Sequence, residues 1–271
     1  MKPVSYPAFS IANIIDRLFN RRFPIPCNVD KDIKVFVFQH FNTQLPECFA
    51  DRTIYIPIDA GRILHTPING TIGDDTEPSI SALNPFLNEM TAIFWIGKHY
   101  AEIGNPEYVG FAHYRRCLDW APGMLKPNTV FASLFGSSHS NIRFFADCHG
   151  LKWLNAFMDR FRAEFDNEYS DVDRFWRLHY MYVANNFITD RETFKRYFQF
   201  AEKCIAICKD LVEKHTGEFS AMTPIMRRQF SYIMERMTGY WIWHEKRIQR
   251  VRVISARLKC YAIENNQTYV R

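Results

Sequence analysis

No window of this 271-residue chain approaches the roughly 18 consecutive apolar residues that a membrane-spanning helix requires. The opening stretch does not read as a secretory signal. The opening stretch MKPVSYPAFSIANIIDRLFNRRFPIP is interrupted by Asn13 and Asp16, and no small-residue cleavage site follows. The expectation is a protein that is soluble or lies against a membrane without crossing it. The seven cysteines (Cys27, Cys48, Cys117, Cys148, Cys204, Cys208 and Cys260) form no C-x-x-C pair, and an odd, scattered set reads as the reduced thiols of a cytosolic protein. Cys204 and Cys208 sit one helical turn apart and read as core packing rather than metal ligands. A large charge of one sign is absent too. The formal net charge of +5 does not argue for nucleic acid, although a weakly basic surface suits phosphate-bearing ligands or an anionic membrane face. No internal repeat or low-complexity tract occurs.

What the chain does have is apolar material: 47% hydrophobic and 16% aromatic residues, ample for the core of one large domain. Residues 1–32 read as an appendage, with a short amphipathic helix near Ile11 to Phe19 and a linker. IKVFVFQHF (Ile33 to Phe41) reads as a strand, and RTIYIPIDAGR offers a second, punctuated by Gly61. The polar segment LHTPINGTIGDDTEPSIS reads as a loop. NPFLNEMTAIFWIGKHYAEIG follows at helical spacing and ends at Gly104. Tyr108 to Ala112 reads as a buried strand, residues 121–150 as irregular, and GLKWLNAFMDRFRAEF as a helix. LHYMYVANNFIT reads as a strand, then a long helix capped by Asp190. PIMRRQFSYIMERMTGYWIWHE reads as one more helix, continuing into a basic tail. Strands alternating with helices predict an α/β fold with parallel strands.

In such sheets ligands gather at the carboxyl ends of strands. Three polar strand ends stand out: Gln39-His40, the run His113-Tyr114-Arg115-Arg116, and Asn185-Asn186. Arg115 and Arg116 can offer forked donors to phosphate oxygens, or pair with a carboxylate such as Asp119 on a solvated loop. His113 suits a phosphate donor, a general acid or a metal ligand; a hydrogen-bonded structural histidine is the plainer reading. Asp74 and Asp75, in a glycine-led loop, can hold a cation, receive sugar hydroxyls, or form a solvated turn. Two D-x-D triplets, Asp30-Lys31-Asp32 and Asp171-Val172-Asp173, do not follow an apolar strand and read as capping or solvated carboxylates.

Several of these runs together resemble a bacterial family long catalogued as a domain of unknown function. That family is found in capsular and exopolysaccharide gene clusters and is regarded as a glycosyltransferase family with a GT-A-like fold. Its pattern has an early IPI-x-x-GR run and a GDD/N-T loop before a helix reading N…NE-T…YW. A strand then leads into HYRR, with NMFI and ERL further on. This chain supplies Gly61-Arg62, Gly73-Asp74-Asp75-Thr76, Asn84, Asn88-Glu89, Thr91, Phe94-Trp95, His113 to Arg116, Asn185, Phe187-Ile188 and Glu235-Arg236. It departs where Glu77-Pro78-Ser79 replaces a second acidic residue with asparagine, and where Asn186 replaces the methionine of NMF. Both departures bear on which sugar is used more than on the class of reaction.

The resemblance covers roughly residues 33–243 and implies a GT-A-like domain with a mixed, mainly parallel sheet flanked by helices. Residues 1–32 would precede it and a basic segment, 244–271, follow. It implies a hexosyltransferase that uses a nucleotide-sugar donor, UDP-linked, and a glycan or lipid-linked glycan acceptor in capsule, exopolysaccharide or lipopolysaccharide synthesis. His40 and Arg62 would lie near the nucleotide. Asn84, Asn88 and Glu89 would meet the sugar hydroxyls, with Asp74, Asp75 and Asn185 also among the donor-binding residues, and His113, Arg115 and Arg116 would meet the diphosphate. Asp119 or Glu235 would be the base. Arginines stand where a metal-binding D-x-D usually sits, so no cofactor is expected to be required, with Asp74 and Asp75 the only candidates for a weak Mn or Mg dependence. The protein would work in the cytoplasm, peripheral on the inner face of the membrane, held there by the basic tail with its interleaved Trp241, Trp243, Ile248, Val251 and Ile254. The alternative of equal standing is that this tail is a helix packed on the domain, with Val251 and Ile254 at core spacing and its arginines solvated. Two other classes fit less of the chain: a non-catalytic scaffold of polysaccharide assembly, and a nucleic-acid-binding module, which leaves the GDDT and NE-T runs unexplained.

Overall fold

The computed structural model describes residues 31–40, 44–165 and 167–260. Strand β1, Ile33–Gln39, is buried on both faces, with Phe36 and Phe38 in one apolar cluster and Ile33, Val35 and Val37 in the other. An unbroken apolar run of this kind belongs in the middle of a covered parallel sheet. Its neighbours β2 (Tyr55–Asp59) and β4 (Tyr108–His113) both run parallel to it, and β3 (Ile72–Gly73) extends the parallel part beyond β2. On the other side β7 (Tyr180–Asp190) pairs antiparallel with β4 and with β6 (Thr129–Gly136), and β8 (Arg252–Ser255) pairs parallel with β6. Two short strands, β5 (Arg116–Leu118) and β9 (Leu258–Cys260), pair with each other, and β5 is joined to β4. The order is β3-β2-β1-β4-β7-β6-β8 in a nine-stranded, mixed and mainly parallel sheet.

The helices are α1 (Asn84–Leu87), α2 (Met90–Lys98), α3 (Asn141–His149), α4 (Lys152–Phe165), α5 (Val172–Trp176), α6 (Arg191–Lys214), α7 (Thr216–Ser220), α8 (Pro224–Arg227) and α9 (Gln229–Arg247). Most of their apolar faces join the larger cluster, where Cys204 and Cys208 are buried as expected. Asp190 caps α6 by accepting from Thr193 N–H at 3.1 Å. Helix α9 lies directly on β7: a Cβ added at Gly239 would stand 2.5 Å from the Tyr182 carbonyl oxygen.

Four sequence expectations change. Residues 121–150, expected to be irregular, contain β6 and α3, because Pro122 and Pro127 draw attention from the apolar run TVFASLFG that follows them. The helix expected across 84–104 breaks at Asn88, whose φ is 47°. The helix expected from Pro224 onward breaks at Arg228. Past α9 the basic tail is not helical: β8 and β9 are hydrogen-bonded into the same sheet as the rest of the domain. Trp241, Trp243 and Val251 are buried in the core, which is the packing alternative and not the membrane contact. The helix expected near Ile11 to Phe19, the aspartate Asp30, and Phe41 at the end of the first strand lie outside the described residues. Among the described residues no helix is long and apolar enough to cross a membrane.

Candidate active site

The registers of β1, β2 and β4 bring their carboxyl ends to one level: Gln39 lies opposite Asp59, and Phe38 opposite His113. Antiparallel β7 continues this rim, because Phe111 faces Phe187 and the next residues back along β7 are Asn186 and Asn185. Asn186 Oδ1 accepts from the His113 N–H at 2.8 Å, which ties the end of β4 to β7. The three groups meet on one rim as expected, but Asn185-Asn186 is not a strand end: both lie inside β7, which runs antiparallel to β4 and continues to Asp190.

A basic cluster occupies the middle of the rim. The His40 and His113 rings stand 6.4 Å apart, and His113 Nδ1 accepts from the Arg115 N–H at 3.3 Å. The Arg115 guanidinium lies over the Tyr114 ring, 5.3 Å from its centroid. Burial, then the charges of Arg116, His40, Arg115 and Arg228, hold His113 well below the ordinary histidine range. Burial and the charge of Arg228 bring His40 down to about 4. Both imidazoles are therefore neutral donors near pH 7 in a strongly positive field. Arg228 comes from the break between α8 and α9 and acts on both histidines from across the rim.

A second group stands beside it. Asn185 Nδ2 donates to Glu89 Oε1 at 3.1 Å. Glu235, on α9, pairs with Arg236 Nη1 at 3.2 Å. Burial, and next among the charges that of Glu235, raise the Glu89 carboxyl above the ordinary range. His149 of α3 stacks on Tyr232 with centroids 4.0 Å apart, and burial with the Arg236 charge lowers it to about 4.

The remaining expected residues form the wall rather than its lining. Asp74 is buried; its Oδ1 accepts from Arg62 N–H at 3.1 Å and from Ser81 Oγ at 2.5 Å, and both its oxygens face the Gly61 N–H. These contacts hold the Gly61-Arg62 turn, where Gly61 has φ 78° and packs on the Asn84 side chain. Asn84 Nδ2 donates to Asn88 O at 2.9 Å, and Asn88 Nδ2 to Ser231 Oγ at 2.9 Å. Thr76 is latched by Trp95 Nε1 at 2.8 Å. The GDDT loop and the NE-T…W helix are thus one stitched unit. Asp75 is exposed and loosely paired with Arg62 at 3.9 Å, leaving it the outward carboxylate of the two. Asp119 is not brought to the site: it is exposed beside Lys259 at 3.6 Å, and the adjoining Trp120 bonds to Tyr55 at the opposite, amino end of β2.

Three residues of this neighbourhood escaped sequence reading. Asp59 ends β2 just as His113 ends β4. It is fully buried, accepts from Ile68 N–H at 3.0 Å and faces His65 Nε2 at 3.2 Å. The strand-end rule applied to the IPID run would have found it. Arg228 and His149 carry no local signal, since Arg228 reaches histidines far earlier in the chain, His113 and His40, and His149 depends on the placement of α3. The second D-x-D is structural: Asp171 accepts from Tyr240 Oη at 2.6 Å, His244 Nδ1 at 3.0 Å and Arg247 Nε at 2.6 Å, while Asp173 pairs with Arg162 at 2.8 Å. Among the described residues no group of three or more His, Cys, Asp or Glu is placed to hold a metal ion. Two cavities, one of about 410 Å³ between α4 and α5 and one of about 440 Å³ beside Trp95 and Ile103, lie away from this rim.

A parallel half-sheet, an antiparallel continuation and a polar rim where the two meet define a GT-A-like, glycosyltransferase-type fold. The chain is similar to a solved structure titled as the apo form of the bifunctional glycosyltransferase WbbM, with a TM-score of 0.71 at 17% sequence identity; the match covers 89% of this chain and 48% of that one. The chain therefore spans about half the length of that relative. Residues 34–134 match the family model described as a domain of unknown function (DUF4422). None of the curated proteins matches the chain.

Proposed function

We propose that the protein transfers a hexosyl group from a nucleotide-sugar donor, UDP-linked, to a glycan or lipid-linked glycan acceptor in the building of a capsule, exopolysaccharide or lipopolysaccharide. The observation that carries this reading is the basic cluster at the end of β4, where Arg115 and Arg116 follow His113 and Arg228 faces them from the start of α9. As the bond between the sugar and the diphosphate breaks, negative charge builds on the leaving group. Guanidinium donors and neutral imidazole N–H groups gathered at that strand end would stabilise the charge there. Asn185 and Glu89 lie next to it, where the sugar of such a donor would sit, and Glu235 is the base that takes the acceptor proton. The turn held by Asp74 sets the nucleotide side of the rim. On this reading the work is done at the cytoplasmic face of a membrane, where activated donors and lipid-linked acceptors meet.

The test is a thermal-shift panel of UDP-, GDP-, dTDP- and CMP-sugars, followed by product analysis with the sugar that stabilises most, since a selective ligand raises stability by mass action. Stabilisation by one nucleotide class together with release of its nucleoside diphosphate supports the reading. No stabilisation by any of them overturns it in favour of a non-catalytic scaffold.

A further inference from the structure

His149 and Tyr232 come from distant parts of the chain and meet ring to ring beside Glu235. His149 is the last residue of α3, where Gly150, at φ 72°, turns the chain away. Its imidazole lies on the Tyr232 phenol with centroids 4.0 Å apart and planes 14° from parallel, and Phe145 packs on it at 5.0 Å, tilted by 59°. Rings packed in this way have little rotamer freedom, so their polar edges are fixed relative to each other.

Those edges are unused. Among the described residues neither nitrogen of His149 nor the hydroxyl of Tyr232 has a hydrogen-bond partner. Both side chains are only half-buried, and these atoms are not sealed from solvent. A polar atom that is ordered, unpaired and open to solvent can take a ligand hydroxyl without first breaking an internal bond.

The place of the stack gives it a role. Arg228, Tyr232 and Glu235 follow at spacings of four and three at the start of α9, which puts them on one face. Tyr232 feels the charges of Arg228, Glu235 and Glu89, whereas His149 feels Arg236 and Glu235 and none of Arg115, Arg116 or Arg228. The order is therefore basic cluster, then Glu89 with Glu235, then the stack. This sets the stack on the side of Glu235 away from the diphosphate-binding arginines, the side left for an acceptor.

The stack also carries no charge. Burial, with the Arg236 charge, lowers His149 to about 4, and burial raises Tyr232 above the ordinary range, so both are neutral near pH 7. Glu235 and Arg236 offset each other at 3.2 Å. Such surroundings suit an uncharged, hydroxyl-rich partner better than an ion. A neutral imidazole and a phenol each offer both a donor and an acceptor, as a pair of sugar hydroxyls requires.

We propose that His149 and Tyr232 form the acceptor subsite, their open edges holding an uncharged sugar by hydroxyls next to the one that attacks. This deepens the glycosyl-transfer reading and rests on it. The attacking oxygen bonds to the anomeric carbon of the donor, and the bond from that carbon to the diphosphate oxygen breaks. The electron pair stays on the diphosphate, and the proton of the attacking hydroxyl passes to Glu235. His149 and Tyr232 keep their protons and select the acceptor.

The test uses two variants that keep the stack and lose only a polar edge, His149→Phe and Tyr232→Phe. With a UDP-hexose as donor, transfer is measured to uncharged p-nitrophenyl hexosides and to p-nitrophenyl glucuronide. The wild type should use an uncharged hexoside and not the glucuronide. Each variant should raise KM for that hexoside about tenfold, as expected for one lost hydrogen bond, with Kd for UDP at its wild-type value. Monodeoxy hexosides sharpen the readout. Removing one particular hydroxyl should cost the wild type about tenfold in kcat/KM and cost the matching variant almost nothing, a pairing that a merely structural stack would not produce. Variants that weaken UDP and every acceptor alike, variants that change no acceptor, or preference for the glucuronide would each overturn the subsite. If no hexoside accepts sugar, binding is followed through the His149 ring resonances, assigned by their loss in His149→Phe; a shift with an uncharged hexoside supports the subsite, and none with any of them overturns it. Failure of the wild type to bind or split any UDP-hexose is a different result: it overturns the glycosyl-transfer reading, and the subsite with it.

Discussion

Asp74 turns both carboxylate oxygens to the Gly61 N–H, at 2.9 and 3.1 Å, and so clamps the turn after β2 to the loop after β3. The same carboxylate holds the Arg62 N–H and the Ser81 hydroxyl, so its removal strands several buried groups at once. Asp74→Ala should therefore cost about 3 kcal/mol of unfolding free energy, measured by urea denaturation, since each stranded buried donor costs roughly 1–3 kcal/mol. Asp75→Ala, which gives up only an exposed and loose contact with Arg62, should cost under about 1 kcal/mol. Equal losses in the two variants would show that the clamp is not what the acidic loop provides.

The arginines should divide by role and not by neighbourhood. Arg115, Arg116 and Arg228 converge electrostatically on His113 from the β4–β5 turn, β5 and the α8–α9 break. Replacing any one with alanine should weaken UDP binding by about 2 kcal/mol, roughly 30-fold in Kd, as expected for one charge-assisted contact. Lysine at Arg115 or Arg116 should recover only part of this, because it lacks the forked geometry. Arg162, which pairs with Asp159 and Asp173 far from the rim, serves as the control. Calorimetric titration with UDP that finds Arg228→Ala unchanged would take the α9 side out of the site.

Stability should fall in mildly acidic solution. His40 and His149 are lowered from 6.5 to about 4 in the folded chain, chiefly by burial. Between those values the unfolded chain binds protons that the folded chain refuses, so unfolding becomes easier as pH drops. Their contribution is complete above about pH 6.5 and lost progressively toward pH 4. His149→Phe keeps a ring to stack on Tyr232 but cannot titrate, so the fall between pH 6.5 and 4 should be shallower. Urea midpoints at several pH values check this, and an unchanged slope would sink it.

The places where periodic reading went wrong are the places where site residues sit. Strands β1 and β4 and helices α4 and α6 were legible because uniform burial or a regular apolar stripe writes itself into the order of residues. The two expected long helices each break, one at Asn88 and one at Arg228, and each break delivers a residue to the rim: Glu89 and Arg228. Helical spacing continues across both breaks, so nothing local announces them. What decides them is tertiary, the bond from Asn88 to Ser231 in one case. The tail was a different error. Arg250, Val251, Arg252 and Val253 alternate at the period of a strand, but Val251 and Ile254 also suit helical spacing, and pairing with β6 settles the choice.

Donor binding should be insensitive to a chelator. Asp74 has its oxygens committed to backbone and Ser81, and Asp75 alone is a poor divalent site, since Mg and Mn require several oxygen ligands. Kd for UDP should be the same with EDTA or with millimolar Mn. A tenfold or greater weakening with EDTA, restored by Mn and abolished in Asp75→Asn, would make that loop a metal site.

The last prediction concerns the basic tail, whose described part, up to residue 260, pairs with the domain's sheet. Arg250 faces Glu245 at 3.5 Å, Lys259 faces Asp119 at 3.6 Å, and Arg247 bonds to Asp171 at 2.6 Å, so half of the positive charge counted toward a lipid surface is already matched. Trp241 and Trp243 are buried, which removes the aromatics that would insert. A chain ending near Glu245 would lose β8 and β9 from the sheet, so truncation would test folding before anchoring. Reversing two of the exposed charges, Arg252→Glu with Arg257→Glu, leaves the strands in place and changes the local charge by about four units. At about 1 kcal/mol per charge near anionic lipid, a tail that held the protein to a membrane would lose its hold almost entirely. Sedimentation with vesicles containing phosphatidylserine should instead give the same bound fraction for the wild type and the doubly reversed protein. A large drop in the reversed protein would restore the tail as the anchor.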